Sequence, residues 1–129
     1  MSGYVLDASA LLAFLGKETG WQRVQELLLS GEAVVSAVNL SEVAAKLVDR
    51  GMASSAAEAN CRSLGVEIID VGADLGFLAA SMMPSTKPLG LSLGDRLCLA
   101  TAVQRGAVAV TADKDWLKLQ GGPKVESIR

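Results

Sequence analysis

The sequence predicts an α/β domain in which a mostly parallel sheet is flanked by helices. Short apolar strands alternate with segments of helical spacing along the chain. The strands are apolar on both faces, as expected for a parallel sheet that helices cover. The length of 129 residues fits one domain, 1–129, with no repeat or linker. Such sheets bind ligands in the crevice at the carboxyl ends of their strands.

The first part of the chain predicts one strand and two helices. The apolar run Tyr4–Leu6 predicts a strand that ends at Asp7. Helical spacing then predicts a helix over Ser9–Leu15, which Gly16 ends. A second helix is predicted over Trp21–Leu29, where the apolar residues recur at helical spacing before another glycine.

The rest of the chain continues the alternation. The valine-rich segment Ala33–Val38 predicts a strand, and a helix opens at Asn39 and ends at Gly51. The Ala-rich segment Ser54–Leu64 predicts a helix, and Val66–Val71 predicts a strand. A helix is predicted over Ala73–Met83, a Pro/Gly loop over Pro84–Leu91 and another helix over Ser92–Arg105. The last elements are a strand over Ala107–Thr111, a short helix over Asp115–Leu119 and an edge strand over Val125–Ile128.

The composition excludes several kinds of chemistry. Histidine is absent, which removes imidazole acid–base pairs, Ser-His-Asp and Cys-His triads, and zinc sites with histidine ligands. The formal net charge of −2 indicates no broad basic surface, so any RNA contact must be local or assisted by a metal. The five aromatic residues are too few for a broad base-stacking platform.

The cysteines and the apolar runs indicate a soluble, cytoplasmic protein. Cys61 and Cys98 lie far apart in helical patterns and match no metal-binding spacing, so we expect two reduced core thiols. No apolar run reaches the roughly 18 residues that a membrane span needs. Asp7 interrupts the first apolar stretch, and no basic region precedes it as in a secretion signal.

Four carboxylates occupy positions that this fold can bring together. Asp7 ends the first strand, and Glu42 follows the second. Asp95 lies in the first turn of the helix after the Pro/Gly loop, and Asp113 follows the fourth strand. Each also has a simpler interpretation as a helix cap. The segments Asn-Leu-Ser-Glu and Ser-Leu-Gly-Asp, which end at Glu42 and Asp95, resemble capping boxes.

Considered as a group, the four acids predict a site for a hard metal ion. Helix N-termini that follow parallel strands cluster at one edge of the sheet, so capping acids there would crowd. Two carboxylates about 4 Å apart repel by roughly 4 kcal/mol at an effective dielectric constant near 20. Mg²⁺ prefers carboxylate and water oxygens and would convert this repulsion into affinity. Phosphodiester hydrolysis by metal-activated water would need no histidine.

Five further residues have a functional and a structural interpretation. Ser9 and Thr111 can orient a carboxylate or metal-bound water, or serve local capping and packing. Arg96 is a candidate for contact with phosphate and Lys87 for guiding a charged substrate, against the simpler interpretation of solvated side chains. Trp116 can stack on a base, although we expect an apolar anchor for the last helix.

Four segments resemble the motifs of the PIN-domain family and occur in the family order. Val5–Ala10 (VLDASA) is similar to the first motif, and Ser41–Val43 (SEV) is similar to the second. Leu91–Ala102 (LSLGDRLCLATA) resembles the third and is the most specific, and Val110–Asp113 (VTAD) resembles the fourth. The motifs extend over nearly the whole chain, and the chain length resembles the VapC-like toxin branch.

The resemblance implies a Rossmann-like three-layer fold with the first strand central. It implies Mg²⁺ or Mn²⁺ held by Asp7, Asp95 and Asp113, with Glu42 completing a catalytic quartet. Asp115 is a second late acid and can share the role of Asp113. The resemblance further implies endonucleolytic RNA cleavage, homodimers, and neutralisation by a VapB-like antitoxin protein.

Two other classes of protein stay open at this point. A non-catalytic PIN-like module would bind RNA or a partner, but degenerate members lose acids and this chain keeps four. A phosphotransfer enzyme or receiver domain also has an Asp after its first strand. Phosphatases of the haloacid-dehalogenase type need a second Asp where this chain has Ser9. Receivers need a phosphoacceptor at a strand end, whereas Asp70 lies inside its predicted strand.

Overall fold

Strands and helices alternate throughout residues 3–129, which the computed structural model describes; the predicted domain also includes residues 1 and 2, which lie outside this range. The strands are β1 (Tyr4–Leu6), β2 (Ala33–Ser36), β3 (Glu67–Ile69), β4 (Val108–Thr111) and β5 (Val125–Ser127). The α-helices are α1 (Ala8–Leu15), α2 (Trp21–Ser30), α3 (Ala37–Asp49), α4 (Ser54–Arg62), α5 (Ala73–Ser81), α6 (Met83–Thr86) and α7 (Leu93–Arg105). Two 3₁₀ helices span Lys87–Leu89 and Lys114–Lys118.

Within the described residues the strands form one sheet in the order β3-β2-β1-β4-β5. Strand β1 is central, as the family resemblance implied, and all four strand pairings are parallel. The chain builds β2 and β3 on one side of β1 and then crosses to build β4 and β5 on the other. This crossover creates a switch point at the carboxyl end of β1, where parallel sheets bind ligands. Asp7 follows β1 at this point.

Alternate residues of the central strands pack into two different helical layers. Leu6 and Val110 are buried with apolar residues of α1, α2, α3 and α4. Val5 and Ala109, their neighbours along the strands, are buried against α7 on the other face. Because successive strand residues point to opposite faces, these two clusters define helix, sheet and helix layers. The predicted three-layer α/β fold is therefore confirmed.

Two details of the predicted elements are wrong. Strand β2 ends at Ser36 and not at Val38, because the Ser36 hydroxyl caps α3 by accepting the Asn39 N–H at 3.0 Å. The segment from Asn39 to Glu42 therefore lies inside α3 and is not a capping box. The predicted loop Pro84–Leu91 is mostly helical, since α6 and a 3₁₀ helix each accommodate a proline in the first turn. Other predicted element ends agree to within two residues.

Three smaller expectations concern side chains outside the site. Cys61 and Cys98 are free and buried, as predicted, and burial raises the pKa of both thiols. Trp116 is buried among apolar residues and so anchors its 3₁₀ helix instead of offering a stacking surface. No helix among residues 3–129 is both long enough and apolar enough to cross a membrane.

Candidate active site

Three of the four predicted acids line one cavity at the carboxyl edge of the sheet. Asp7 comes from the end of β1, Glu42 from α3 and Asp95 from the first turn of α7. Helix α3 also contributes Lys46 and Asp49, one and two turns beyond Glu42. We call this feature the acidic cavity, since four carboxylates and one lysine line it.

The fourth predicted acid, Asp113, lines a neighbouring cavity, which we call the second cavity. Ser9 and Leu12 lie in the walls of both, so the two cavities adjoin. The other residues that line the second cavity are Glu18, Arg50, Ala112, Lys114 and Arg129. The structure thus brings Asp7, Glu42 and Asp95 together and places Asp113 next to them.

Asp7 is almost completely buried, and it accepts hydrogen bonds from the first turn of α1 and from the end of β4. The Ser9 hydroxyl lies 2.8 and 2.9 Å from its two carboxylate oxygens, and the Thr111 hydroxyl donates at 2.6 Å. The Ala10 N–H donates at 2.8 Å, so Asp7 also caps α1. Both oxygens of Asp7 are therefore fixed in position.

The two hydroxyls connect Asp7 to the end of β4. Ser9 Oγ accepts the Ala112 N–H at 2.9 Å, and Thr111 Oγ1 accepts the Asp113 N–H at 3.0 Å. Each hydroxyl thus accepts from the backbone after β4 and donates to the carboxylate after β1. These are the contacts that the positioning role predicted for Ser9 and Thr111 requires.

Burial raises the pKa of Asp7 to about 6 from its ordinary 3.8. The hydrogen bonds from Thr111, Ala10 and Ser9 oppose this rise because they stabilise the charged form, whereas the charge of Asp95 adds to it. The pKa of the Cys98 thiol lies well above its ordinary range for two reasons. Burial is the larger, and the charges of Asp7, Asp95 and Glu42 add to it. An acid that is costly to ionise alone gains most from a nearby cation.

The position of Glu42 depends on Asn39 and Gly94, and the sequence patterns gave neither residue this role. Asn39 Nδ2 donates to Glu42 Oε1 at 2.9 Å and to the Gly94 carbonyl at 3.0 Å, and Ser36 Oγ donates to Asn39 Oδ1 at 2.7 Å. A Cβ atom on Gly94 would lie 2.5 Å from both Glu42 carboxylate oxygens. The available signals were an Asn one helical turn before Glu42 and a Gly directly before Asp95.

Asp95 and Asp113 do cap helices, as their simpler interpretation predicted. Asp95 Oδ2 accepts the Ser92 N–H at 2.8 Å and Ser92 Oγ accepts the Asp95 N–H at 3.2 Å, which completes a capping box. Asp113 Oδ1 accepts the Asp115 N–H at 2.9 Å. The other carboxylate oxygen of each receives no hydrogen bond from the described residues, and the same holds for Glu42 Oε2. Capping occupies one oxygen of Asp95 and of Asp113, and Asn39 occupies one oxygen of Glu42, so each of these three acids keeps one oxygen without a hydrogen bond from residues 3–129.

The donor set fits a hard divalent cation, although the acids do not form a closed cage. No three acidic or cysteine side chains among residues 3–129 are grouped closely enough to hold a metal by themselves. Carboxylates without a cation repel each other, so an open arrangement is expected. Mg²⁺ usually takes few protein ligands and completes its shell with water and substrate phosphate. Oxygen-only ligands with free lone pairs satisfy this preference.

The remaining predicted residues lie outside both cavities. Asp115 forms an ion pair with Lys118 at 3.1 Å, and Lys87 is exposed. Arg96 is half-buried and its guanidinium lies 3.4 Å from the Leu91 carbonyl oxygen, so it packs against the segment before α7. The roles of Asp115, Lys87 and Arg96 stay predictions.

Four basic residues that do line the cavities were not singled out from the sequence. Lys46 lies in the acidic cavity, and Arg50, Lys114 and Arg129 lie in the second. The signal that would have found two of them is spacing, because Lys46 lies one turn after Glu42 on α3 and Arg50 is the C-cap residue that directly follows this helix.

The fold and the acidic cavity define an α/β domain with a carboxylate-lined site at the switch point of a parallel sheet. The family model described as PIN domain matches residues 4–122. The chain therefore belongs to the PIN-domain family. No curated protein matches it significantly.

Solved structures share the whole fold at low sequence identity. DNA-bound VapBC from Salmonella typhimurium matches with a TM-score of 0.75 at 17% identity over 100% of both chains. A toxin–antitoxin complex from Klebsiella pneumoniae matches with a TM-score of 0.74 at 18% sequence identity, over 98% of both chains. VapC20 of Mycobacterium tuberculosis is a toxin that cleaves the sarcin–ricin loop. It matches with a TM-score of 0.71 at 24% sequence identity, over 90% of this chain and 94% of VapC20. The likeness shows that this chain has the fold of these toxins.

Proposed function

We propose that this protein is a Mg²⁺-dependent endoribonuclease and the toxin component of a toxin–antitoxin pair. The observation that carries the proposal is the acidic cavity, where a buried Asp7 meets Glu42 and Asp95 at the switch point of a PIN fold. VapC20 has the same fold and is described as a toxin that cleaves the sarcin–ricin loop, which supports RNA as the substrate class.

Each acid has a role in this proposal. Asp7, Asp95 and Asp113 hold the cation, and Glu42 completes the quartet. When bound, Mg²⁺ (or Mn²⁺) neutralises charge on the scissile phosphate and makes water nucleophilic near neutral pH. Ser9 and Thr111 keep Asp7 oriented through the hydroxyl contacts described above.

The expected products have 5′-phosphate and 3′-hydroxyl ends. Water as the nucleophile breaks the bond to the 3′ oxygen and leaves the phosphate on the downstream fragment. A cyclic-phosphate route would require an acid–base histidine pair, and the sequence contains no histidine.

The same proposal includes a VapB-like antitoxin, a homodimer and action in the cytoplasm. VapBC complexes of Salmonella typhimurium and Rickettsia felis share the fold, which supports an antitoxin partner. The homodimer rests on the family resemblance, and Leu29 on α2 and Phe77 on α5, which expose 81% and 75% of their surface, are large apolar side chains that a partner would cover. Monomeric light scattering at micromolar concentration would count against the dimer.

The activity is tested with purified protein and a labelled RNA oligonucleotide. We expect cleavage with Mg²⁺ or Mn²⁺, no cleavage in excess EDTA, and products whose 5′ ends carry phosphate. Asp95→Asn protein purified in the same way controls for contaminating nuclease.

Two outcomes would overturn the proposal. Cleavage that persists in EDTA and is absent from the Asp95→Asn preparation would show a metal-independent reaction. RNA binding without cleavage, with either metal, would instead support the non-catalytic PIN-like module.

A further inference from the structure

The two adjoining cavities carry opposite charge. The acidic cavity combines four carboxylates with Lys46 alone, a formal charge of −3. The second cavity combines Arg50, Lys114 and Arg129 with Glu18 and Asp113, a formal charge of +1. The chain as a whole carries −2, so this positive cavity is a local departure from the overall charge. It lies beside the site where a phosphodiester would be cleaved.

Two of the three cations in the second cavity have no partner within the part of the chain that the structure describes. Arg129 pairs with Glu18 at 3.2 Å, which leaves the Arg129 charge largely compensated. Arg50 and Lys114 form no ion pair and no side-chain hydrogen bond with any residue in 3–129, and both are exposed. Their charged groups are therefore free to contact an anion.

The positions of these two cations relate directly to the acids. Arg50 is the C-cap residue of α3, about two helical turns beyond Glu42 in the chain. Lys114 follows Asp113 in the chain and begins the 3₁₀ helix that Asp113 caps. Ser9, which hydrogen-bonds to Asp7, lies in the wall between the cavities. The cavity that contains Arg50 and Lys114 therefore adjoins the acids, on a path that an RNA backbone bound at the acids can follow.

We infer that Arg50 and Lys114 bind the RNA phosphate next to the cleaved bond and so set how the strand lies across the acids. The inference rests on the proposed function and adds a substrate subsite to it. Both residues position the substrate through charge and do not take part in the chemical step. Arg50 also has a structural use, because a cation at a helix C-terminus stabilises the helix dipole. The test must therefore separate substrate binding from helix stability.

The first measurement compares steady-state kinetics of the parent with Arg50→Ala and Lys114→Ala on one RNA oligonucleotide. We expect each variant to raise KM about tenfold, the usual scale of a lost charge-assisted contact, with kcat close to the parental value. The slope of log KM against log salt concentration should decrease by about 0.7 per variant, since each loses one phosphate contact with a single strand. Arg50→Lys should recover most of the loss.

Matched controls come from the opposite edge of the sheet. Arg105→Ala removes an exposed arginine that lines a cavity near the amino ends of the strands, and Lys124→Ala removes an exposed lysine just before β5. Neither should change KM or its salt dependence. Thermal melting should show that the Arg50 and Lys114 variants stay folded, and their half-maximal Mg²⁺ concentration should match the parent.

The second measurement changes the substrate. After the cleavage site is mapped, the phosphate on either side of it is replaced by an uncharged methylphosphonate. On one of these two RNAs the parent and Arg50→Ala should have the same KM. Two results would overturn the inference without affecting the proposed ribonuclease function. One is a parental KM in both Arg50→Ala and Lys114→Ala. The other is a rise in KM that the variants still show on both methylphosphonate RNAs. A parent that cleaves no RNA would overturn the proposed function and this subsite with it.

Discussion

Asp7 and Asp95 perform the same local task in two different environments. Asp7 accepts an N–H of α1, and Asp95 accepts one in the capping box of α7. Asp7 is 3% exposed and both its oxygens are occupied, whereas Asp95 is half-exposed and one of its oxygens is free. Burial raises the pKa of Asp7 to about 6. The comparison teaches that a capping contact does not reveal whether an acid is costly to ionise.

The largest expected effect follows from removing the free oxygen of Asp95. Asp95→Asn keeps an oxygen that can accept the Ser92 N–H, so the capping box survives and metal-free melting should be no lower than in the parent. Cleavage should fall at least about a hundredfold, because loss of a metal ligand exceeds the usual effect of altering its outer partners. Single-turnover rates measure the loss of cleavage. The rise in melting temperature when Mg²⁺ is added to the metal-free protein measures the loss of metal binding.

Asp74→Asn is the matched control for this change. Asp74 also lies in the first turn of a helix, α5, but lines neither cavity. It should keep parental cleavage. An Asp95→Asn protein that melts lower yet cleaves at the parental rate would show that Asp95 is only a cap.

A second prediction uses the burial of Asp7 in the metal-free protein. Because the pKa of Asp7 is higher in the folded than in the unfolded chain, the folded state binds more protons between about pH 4 and pH 6. The contribution of Asp7 to stability therefore decreases as pH rises through this window. The difference between about 6 and 3.8 corresponds to about 3 kcal/mol lost at pH 7.5.

Asp7→Asn removes this cost, since the amide does not ionise. Denaturant unfolding in EDTA should show the variant more stable by up to about 3 kcal/mol at pH 7.5, with the difference closing near pH 4. The variant should not cleave RNA. If the free energy of unfolding of the variant exceeds that of the parent by the same amount at both pH values, ionisation of Asp7 is not the source of the difference.

The smallest expected effect concerns the space beside Glu42. Gly94→Ala improves helix propensity by about 1 kcal/mol but places a methyl group against the Glu42 carboxylate, which must move. We expect parental or higher stability with cleavage reduced about tenfold, in the range seen when a partner of a metal ligand is altered. Gly76→Ala in α5 is the control, because its Cβ would meet nothing within 4 Å. Equal activity of the two variants would show that the position of Glu42 is unimportant.

Apolar periodicity was sufficient to predict a parallel sheet covered by helices and the acids at the strand ends, whereas the central position of β1 came from the family resemblance. The sequence could not choose between Ser36 and Asn39 as the cap of α3, since both are good capping residues. The pairing of Ser36 with Ile69 in the sheet decides the choice. The contact between Gly94 and Glu42 and the charge of the second cavity depend on residues distant in the chain, so no local pattern contained them.

The hydroxyl of Thr111 reaches Asp7 across 104 positions of sequence. Synthesis proceeds from the N-terminus, so a growing polypeptide contains Asp7 and Glu42 long before it contains β4, the strand that completes the site. Until β4 is added, β1 has a bare edge on one side, and contacts between such distant segments form slowly. A ribosome that translates this message therefore carries an unassembled site at least until Thr111 has been added.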